Sequence, residues 1–396
     1  MTTDSILSLD SSRPHSDLRA DEPGTSLRVL LASTERGWHG GEEQGRQLVQ
    51  GLRARGHDCR IVALESGAFA QRMSNAGVQV YGYPRKGWNP RTLANIRTAV
   101  REFKPDVLHY NDAHAMTTIG LGSVWYPIPV RVCTRRVDYQ ISGSWHYNNL
   151  VDRVICISTV IADVCRHGGI HRDSIEIAHS GVDPDRMSGG NRDRGRKSLS
   201  CNDDQHLILS VATLTNHKGH RYLLEAMPEI LNQFPDAILA LAGDGDLTDA
   251  LREQAGELGI SDRVQFLGYR DDVPDLMAAC DLFVIASHLE GLCTSIIDAM
   301  IAKRPIVATR AGGIPDLMGE TFELEEAPVA WVAEPKSSRE LCQAITAALT
   351  ASPEEQQARI QKAYDRSLRL FTSDRMVEKN LRIYQKILHG KSAKAA

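Results

Sequence analysis

The 396-residue sequence has no apolar run approaching the roughly 18 residues that a membrane-spanning helix needs. Residues 1–22 lack the cationic start and apolar stretch of a secretion signal. Basic and acidic side chains nearly balance, 46 against 50, which excludes the basic surface of a dedicated nucleic-acid binder. No Cys-x-x-Cys pair occurs, so a zinc site is not predicted, and we expect reduced thiols at Cys59, Cys133, Cys156, Cys165, Cys201, Cys280, Cys293 and Cys342. These absences predict a soluble, cytoplasmic protein.

Short apolar runs alternate with segments of helical periodicity, a pattern typical of βαβ units and parallel sheets. The alternation starts with LRVLLAS at 27–33, breaks in a polar stretch near 184–203, and restarts with HLILSVA at 206–212. The length also favours two domains. We therefore predict a mobile tail over 1–26, a Rossmann-like domain over 27–185, a linker over 186–204, a second Rossmann-like domain over 205–371 and a C-terminal helix over 372–390.

The segment from 281 to 318 carries the clearest chemical pattern. A buried strand over 282–286 ends at a turn that contains Glu290, and a helix follows from about Thr294. Asp298 lies one turn into that helix and is expected to point the same way as Glu290. The first amides of a helix are unpaired donors with partial positive charge, so this terminus suits a diphosphate.

A Glu followed by seven residues and a second acid, before PIVAT and AGGIPD, resembles the retaining glycosyltransferases of family 4, also called glycosyl transferases group 1. Further stretches are similar to motifs of that family: GWHGGEEQ at 37–44, HYNDAHA at 109–115, HSGVD at 179–183, VATLTNHKGHRYLLEA at 211–226, GDGDL at 243–247 and VQFLGYRDDVPDLM at 264–277. The resemblance covers about 27–390 and is most specific over 206–318. It implies the GT-B fold, in which two Rossmann-like domains face each other across a cleft. It also implies that the domain over 27–185 binds the acceptor and that the domain over 205–371 binds the nucleotide sugar.

The resemblance also implies residue roles. Glu290 would contact hydroxyls of the donor sugar, Lys218 would neutralise the diphosphate, and His114 would lie beside the reacting centre. Asp298 takes the place of a family glutamate that holds the ribose. Donor contacts are implied for Gly40, Gly41, Gly243, Tyr269, Arg270, Gly291, Leu292, Cys293, Thr294, Ser295 and Asp298.

The sequence departs from the family pattern at two positions. Thr213 stands where many relatives have an arginine, and Asn111 stands where many have a histidine. Residues that could replace the missing cation are Arg221, Arg310, His217 and Arg135, and the sequence does not choose among them. No Asp-x-Asp loop for Mg²⁺ is found, and Asp271–Asp272 is interpreted as a helix N-terminal cap. We expect a metal-independent enzyme whose nucleotide sugar is a substrate, with no cofactor.

The predicted function is transfer of a hexose-type sugar from a nucleotide-diphosphate sugar to a polysaccharide, glycolipid or small acceptor, with retention of anomeric configuration. A basic stretch is interpreted as a solvated face or as a peripheral contact with the inner membrane surface; it comprises Arg85, Lys86, Trp88, Arg91, Arg97, Arg101 and Lys104. Three alternatives remain: a nucleotide-sugar epimerase of the same fold, a non-catalytic regulator, and an NAD-binding oxidoreductase. The first strand lacks the G-x-G-x-x-G that would favour the last.

Overall fold

The computed structural model describes residues 26–84, 89–320 and 328–395. Its N-terminal half forms a seven-stranded parallel sheet in the order β3-β2-β1-β4-β5-β6-β7. The strands are β1 Arg28–Ser33, β2 Asp58–Leu64, β3 Val80–Tyr83, β4 Val107–Tyr110, β5 Val130–Arg135, β6 Arg153–Cys156 and β7 Ile175–Ile177. The helices are α1 Gly40–Ala54, α2 Ala68–Asn75, α3 Pro90–Phe103, α4 Ala113–Gly122, α5 Trp145–Leu150 and α6 Thr159–His167.

The C-terminal half forms a six-stranded parallel sheet in the order β10-β9-β8-β11-β12-β13. Its strands are β8 Leu207–Val211, β9 Ile238–Ala242, β10 Val264–Gly268, β11 Leu282–Ile285, β12 Ile306–Thr309 and β13 Trp331–Ala333. The helices of this half are α7 Arg192–Ser198, α8 His220–Gln233, α9 Thr248–Glu257, α10 Val273–Ala279, α11 Thr294–Ile301, α12 Ile314–Met318, α13 Ser338–Thr350 and α14 Pro353–Leu370, and α15 Ser373–Ala395 ends the described chain. The prediction of two parallel-sheet α/β domains is therefore confirmed.

The chain crosses between the domains along two neighbouring segments. Val182 forms a parallel bridge with Thr372, and its amide donates to the Phe371 carbonyl at 2.9 Å. Beyond this crossing α15 returns to the N-terminal domain and packs against α1. The buried side chains of α15 join the core beneath β1 and β2: Met376, Val377, Leu381, Ile383, Tyr384 and Ile387. The final helix thus stabilises the first domain.

The stretch predicted as a linker contains structure of its own. A 3₁₀ helix covers Pro184–Met187, and α7 follows with the Asn191 side chain accepting a hydrogen bond from the Arg194 amide. Helix α7 packs on α10, and Gly195 lies so close to the Asp275 carbonyl that a Cβ there would overlap with it. The polar composition gave no signal for this helix, because its contact uses a glycine instead of an apolar stripe. The predicted tail, apart from Ser26, lies outside the described residues.

Each sheet has one point where the strand order reverses direction. In the first sheet β1 lies between β2 and β4, and in the second β8 lies between β9 and β11. Loops leaving the carboxyl ends of such neighbouring strands diverge to opposite faces of the sheet and leave a crevice that binds ligands. The two crevices face one cleft, which is lined by residues of both domains.

Candidate active site

The cleft between the domains has a volume of about 320 Å³. Residues of both domains line it: Gly40, Gly41, Gln44, Arg136, Ile157 and Ser180 from the first, and Val211, Ala212, Thr213, Lys218, Glu290, Gly291, Leu292, Cys293, Thr294 and Ser295 from the second. Nine of the residues that the resemblance implicates are thereby brought together. They follow strands β1, β8 and β11, as expected for loops at the carboxyl edge of a parallel sheet.

Glu290 and Lys218 form an ion pair on the C-terminal wall. The Lys218 ammonium lies 2.6 Å from Glu290 Oε1, and the Ser287 hydroxyl donates to the same oxygen at 2.9 Å. Glu290 is only 7% exposed. Burial lowers the pKa of Lys218, but the Glu290 carboxylate outweighs this and leaves the pKa raised. The lysine is therefore a cation at neutral pH.

The AGGIPD motif supports the Glu290 loop from behind. Gly312 has φ +53°, and a Cβ there would overlap with the Glu290 carbonyl. The Gly313 amide donates to that carbonyl at 3.0 Å. Side chains at these two positions would push the Glu290 loop towards the cleft, so the glycines fix where the carboxylate stands.

Helix α11 begins at the cleft. Cys293 precedes its first residue with φ +73°, and no side chain of the described chain caps the helix. Its Thr294 and Ser295 residues line the cleft beside Lys218. Uncapped helical amides carry partial positive charge, and with a nearby lysine they make this corner of the cleft electropositive. Burial raises the pKa of the Cys293 thiol to about 12, so it is not a reactive thiolate.

Asp298 lies behind this corner and outside the residues that line the cleft. It is 4% exposed, its Oδ1 has no hydrogen-bond partner in the described chain, and Arg186 Nη1 lies 3.6 Å from Oδ2. Burial raises its pKa to about 6, with Arg186 opposing the shift. An unsatisfied buried carboxylate next to the cleft is available to a ligand hydroxyl.

Three further predicted donor contacts, besides Asp298, lie outside the cleft lining. Gly243 has φ +149° and approaches the Ala212 carbonyl too closely for a Cβ, so it joins β8, β9 and β10 at their carboxyl edge. Tyr269 is 83% exposed. Arg270 holds the Asp272 carboxylate with two hydrogen bonds, one of 2.6 Å. Asp272 does precede α10 as expected, but its carboxylate pairs with Arg270 and does not cap the helix.

His114 is the second residue of α4 and is exposed outside the cleft lining. Its neighbour Asn111, which stands where relatives have a histidine, donates to the Gly41 carbonyl at 3.1 Å. Asn111 therefore holds the Gly-rich start of α1 at the cleft.

The predicted replacements for the missing cation have other partners. Arg310 pairs with Glu320 and Glu334, and Arg221 stacks on Tyr222. His217 contacts the Thr215 hydroxyl at 3.3 Å. Arg135 donates to the Tyr147 hydroxyl and the Tyr139 carbonyl. None of these four side chains is among the described residues lining the cleft.

Besides Lys218, Arg136 is a cation that lines the cleft, and it was not predicted from the sequence. Burial lowers the pKa of Arg136 to about 10, with the Glu42 carboxylate opposing the shift, so the side chain remains charged at neutral pH. A signal was present, because Arg136 is the first residue after β5 and so belongs to the carboxyl edge of the sheet. Gln44 and Ser180 were also missed; Gln44 exchanges two hydrogen bonds with the main chain of Gly181, at 2.7 and 2.9 Å.

Asp316 connects the domains beside the cleft. Its carboxylate accepts hydrogen bonds from the Thr159 amide at 2.7 Å and from the Thr159 hydroxyl, and lies 3.2 Å from His179 Nε2. Burial raises the pKa of Asp316, but these hydrogen bonds outweigh it and leave the pKa lowered. The contact between His179 and Asp316 thus joins the HSGVD stretch of the first domain to the AGGIPD stretch of the second.

Four exposed basic residues lie on α3 or directly after it: Arg91, Arg97, Arg101 and Lys104. Residues 85–88 of the predicted basic stretch lie outside the described residues. Trp125 and Val124, in the loop after α4, are also exposed, at 83% and 48%. Within the described residues, no helix has the length and apolar character needed to cross a membrane.

Comparison with known proteins identifies the family and the fold. The family model described as Glycosyltransferase Family 4 matches residues 38–186, and the model described as Glycosyl transferases group 1 matches residues 191–366. The chain belongs to the family 4, group 1 glycosyltransferases. One match lies in each domain, and residues 187–190 separate the two matched ranges.

Individual relatives agree with this family. Over 173 residues the chain is 32% identical to an uncharacterized glycosyltransferase of Methanocaldococcus jannaschii, covering 42% of this chain and 44% of that relative, which is less than half its length. It is 26% identical over 293 residues to the UDP-Gal:alpha-D-GlcNAc-diphosphoundecaprenol alpha-1,3-galactosyltransferase of Escherichia coli, covering 67% and 75%. The structure of Anabaena HepE in complex with UDP has a TM-score of 0.80 at 20% identity, covering 91% of this chain and all of that one. This structural likeness confirms the GT-B fold.

Proposed function

We propose that this glycosyltransferase moves a hexose-type sugar from a nucleotide-diphosphate sugar to a hydroxyl of a glycan, glycolipid or small acceptor, with retention of anomeric configuration. The observation that carries the proposal is the pairing of Glu290 with Lys218 at the uncapped start of α11. A carboxylate and a cation stand side by side there in a cleft between two Rossmann-like domains.

A nucleotide sugar matches both members of this pair. Its sugar hydroxyls are donors for Glu290, and its diphosphate is an acceptor for Lys218 and for the amides of Thr294 and Ser295. The ion pair holds each group in place before the donor arrives. Both charged groups are poorly exposed, so neither can be left without a partner at low cost. A ligand that separates them must therefore offer a hydrogen-bond donor to Glu290 and a negative charge to Lys218 at the same time.

The reaction breaks the bond between the anomeric carbon and the diphosphate oxygen, and the electron pair leaves with the nucleoside diphosphate. The acceptor oxygen forms a new bond to the anomeric carbon, and its proton passes to the released diphosphate or to water. The transition state resembles an oxocarbenium ion, so charge grows on the phosphate oxygens. Fixed donors stabilise that charge best. We propose that protein cations and helix amides, without a metal ion, do this here.

The names of similar proteins suggest which substrates to try first. The Escherichia coli relative is named for a UDP-Gal donor and a diphosphoundecaprenol-linked acceptor, and the Anabaena protein binds UDP. We extend both to this chain as a proposal: a UDP-sugar donor and a lipid-linked acceptor at the cytoplasmic membrane face.

A screen of UDP-, GDP- and ADP-hexoses tests the proposal. At least one should raise the melting temperature and be hydrolysed slowly or transferred to an added glycan or lipid-linked acceptor. Glu290→Gln should abolish turnover. Glu355→Gln, at an exposed ion pair on α14, is the matched control and should change nothing. Conversion of the donor to its epimer without an acceptor, or stabilisation by NAD(H) alone, would contradict the proposal. Proton NMR of the product's anomeric signal tests retention.

A further inference from the structure

Arg136 is a cation without a counter-ion. Within the described parts of the chain no carboxylate oxygen lies within 4.0 Å of its guanidinium group, and its buried Nε has no hydrogen-bond partner. Its one hydrogen bond to a described residue runs from Nη1 to the Asn111 carbonyl at 3.2 Å. The nearby carboxylates are used elsewhere: Glu42 accepts from the His39 amide, and Asp112 from Thr34 and Ala115.

A second buried arginine shows what a structural role looks like. Arg196, 3% exposed, donates to the carbonyls of Ala279, Asn202 and Gln205 and also to the Asp281 carboxylate, although its Nε, like that of Arg136, has no hydrogen-bond partner in the described chain. Arg196 thus has several acceptors and a counter-ion. Arg136 has one acceptor, although the guanidinium group has five donor hydrogens. Leaving a cation poorly solvated and unpaired is costly, so the arrangement fits a site completed by an anionic ligand.

The position of Arg136 specifies where that anion would lie. Its Nε stands 3.9 Å from the place of a Cβ on Gly41, which has none, and both residues line the cleft. The carbonyl of Arg136 meets Gly291 of the other domain, close to the start of α11. Arg136 therefore lies on the N-terminal wall at the point where that wall approaches the corner containing Lys218.

We propose that Arg136 binds the diphosphate of the donor from the N-terminal wall, and that it stabilises this group as it leaves. The inference rests on the proposed function and adds a second cation to Lys218. Arg136 keeps its protons throughout; it takes no part in bond making and acts through charge and hydrogen bonds. Because the two cations come from different domains, the diphosphate ties the domains together while it is bound.

Titration calorimetry with UDP, GDP and ADP, and with the matching nucleosides, tests the proposal. Wild type should bind one of the diphosphates. Arg136→Gln should weaken that binding about 10- to 100-fold, as expected for loss of a charge-assisted hydrogen bond, while nucleoside binding stays unchanged. Arg136→Lys should give an intermediate affinity. Arg153→Gln, at an ion pair on β6, is the matched control and should bind like wild type.

A rescue variant separates charge from folding. Thr213 is exposed on the opposite wall of the same cleft, so Thr213→Arg in the Arg136→Gln background should restore part of the diphosphate affinity. Unchanged diphosphate affinity in Arg136→Gln would overturn the inference and leave the proposed function standing. A raised acceptor KM with unchanged diphosphate affinity would overturn it too, because the anion would then belong to the acceptor. Failure of wild type to bind any diphosphate would instead refute the proposed function, and the inference with it.

Discussion

Gly291 of the C-terminal domain lies against the carbonyl of Arg136 of the N-terminal domain, so closely that a Cβ would overlap with that oxygen. Gly291→Ala should therefore hold the domains slightly apart without unfolding either. Because a displacement of about 1 Å at a reacting centre costs up to about 100-fold in rate, we expect kcat to fall 10- to 100-fold. Steady-state kinetics with the identified donor measures this change.

Gly189→Ala is the control for this effect. Gly189 is exposed near the domain crossing, and a Cβ there meets nothing within 4 Å. The Gly189→Ala variant should keep the kcat of the wild type. Equal losses in both variants, or no loss in Gly291→Ala, would show that the close approach of the two domains has no part in the reaction.

The pair of Lys218 and Glu290 predicts a non-additive mutant cycle. Lys218→Met leaves the Glu290 carboxylate buried without its cation, and Glu290→Gln leaves the cation without its carboxylate. Each single variant should lose on the order of 1–3 kcal/mol of stability. The double variant should be more stable than the sum of these losses, because neither charge is left unpaired.

Activity should separate from stability in this cycle. All three variants should lose at least about 100-fold in kcat, since each lacks a group that we propose to contact the donor. Urea unfolding and turnover assays measure the two quantities on the same preparations. An active double variant, or strictly additive stability losses, would contradict the assigned roles.

Asp298 predicts a pH-dependent stability. Its pKa in the folded protein is about 6, raised from 3.8 by burial. Between these pH values the folded state keeps a proton that the unfolded state has lost, so the residue's contribution to stability falls as the pH rises from about 4 to about 6. Asp298→Asn should therefore be more stable than wild type at pH 7.5, by on the order of 3 kcal/mol, and show no such gain at pH 4.

Melting curves at several pH values check this prediction, with Asp262→Asn on the surface as the control. If Asp298 holds a ribose hydroxyl, the stabilised variant should also bind the donor more weakly. The same stability change at pH 4 and pH 7.5 would contradict the raised pKa.

The exposed basic residues of α3 predict binding to anionic membranes. Wild type should associate with vesicles containing phosphatidylglycerol and should dissociate as salt is raised. Arg97→Glu combined with Arg101→Glu should weaken binding at least about 30-fold, since each basic residue near such a surface contributes about 1 kcal/mol. Lys336→Glu with Arg339→Glu, in the other domain, is the matched control. Vesicle flotation that is equal for both double variants would contradict a membrane role for α3.

The fold was largely predictable because most of its strands are continuous apolar runs. The two that were not predicted, β7 and β13, have three residues each, too few to show a pattern. Helix α7 was not predicted for a different reason: its buried residues are Gly195 and Arg196, which give no apolar pattern.

The site was predictable where it depends on local sequence and not where it depends on the meeting of the domains. Glu290 and the start of α11 follow one strand and carry a recognisable spacing. Arg136 reaches the cleft from the end of β5, about 150 residues before Glu290 in the sequence. Two arginines stand side by side there, and the sequence does not show which of them points into the cleft. Arg135, the member suggested from sequence, binds two tyrosines instead.

The most direct test is a crystal structure of the protein with an intact, non-hydrolysable nucleotide sugar. The sugar hydroxyls should lie within hydrogen-bond distance of Glu290, with the diphosphate at the first amides of α11 and near Lys218. The distance between Lys218 Nζ and Glu290 Oε1 should then exceed 2.6 Å. A donor bound elsewhere, with this ion pair unchanged and the cleft empty, would contradict the proposed function.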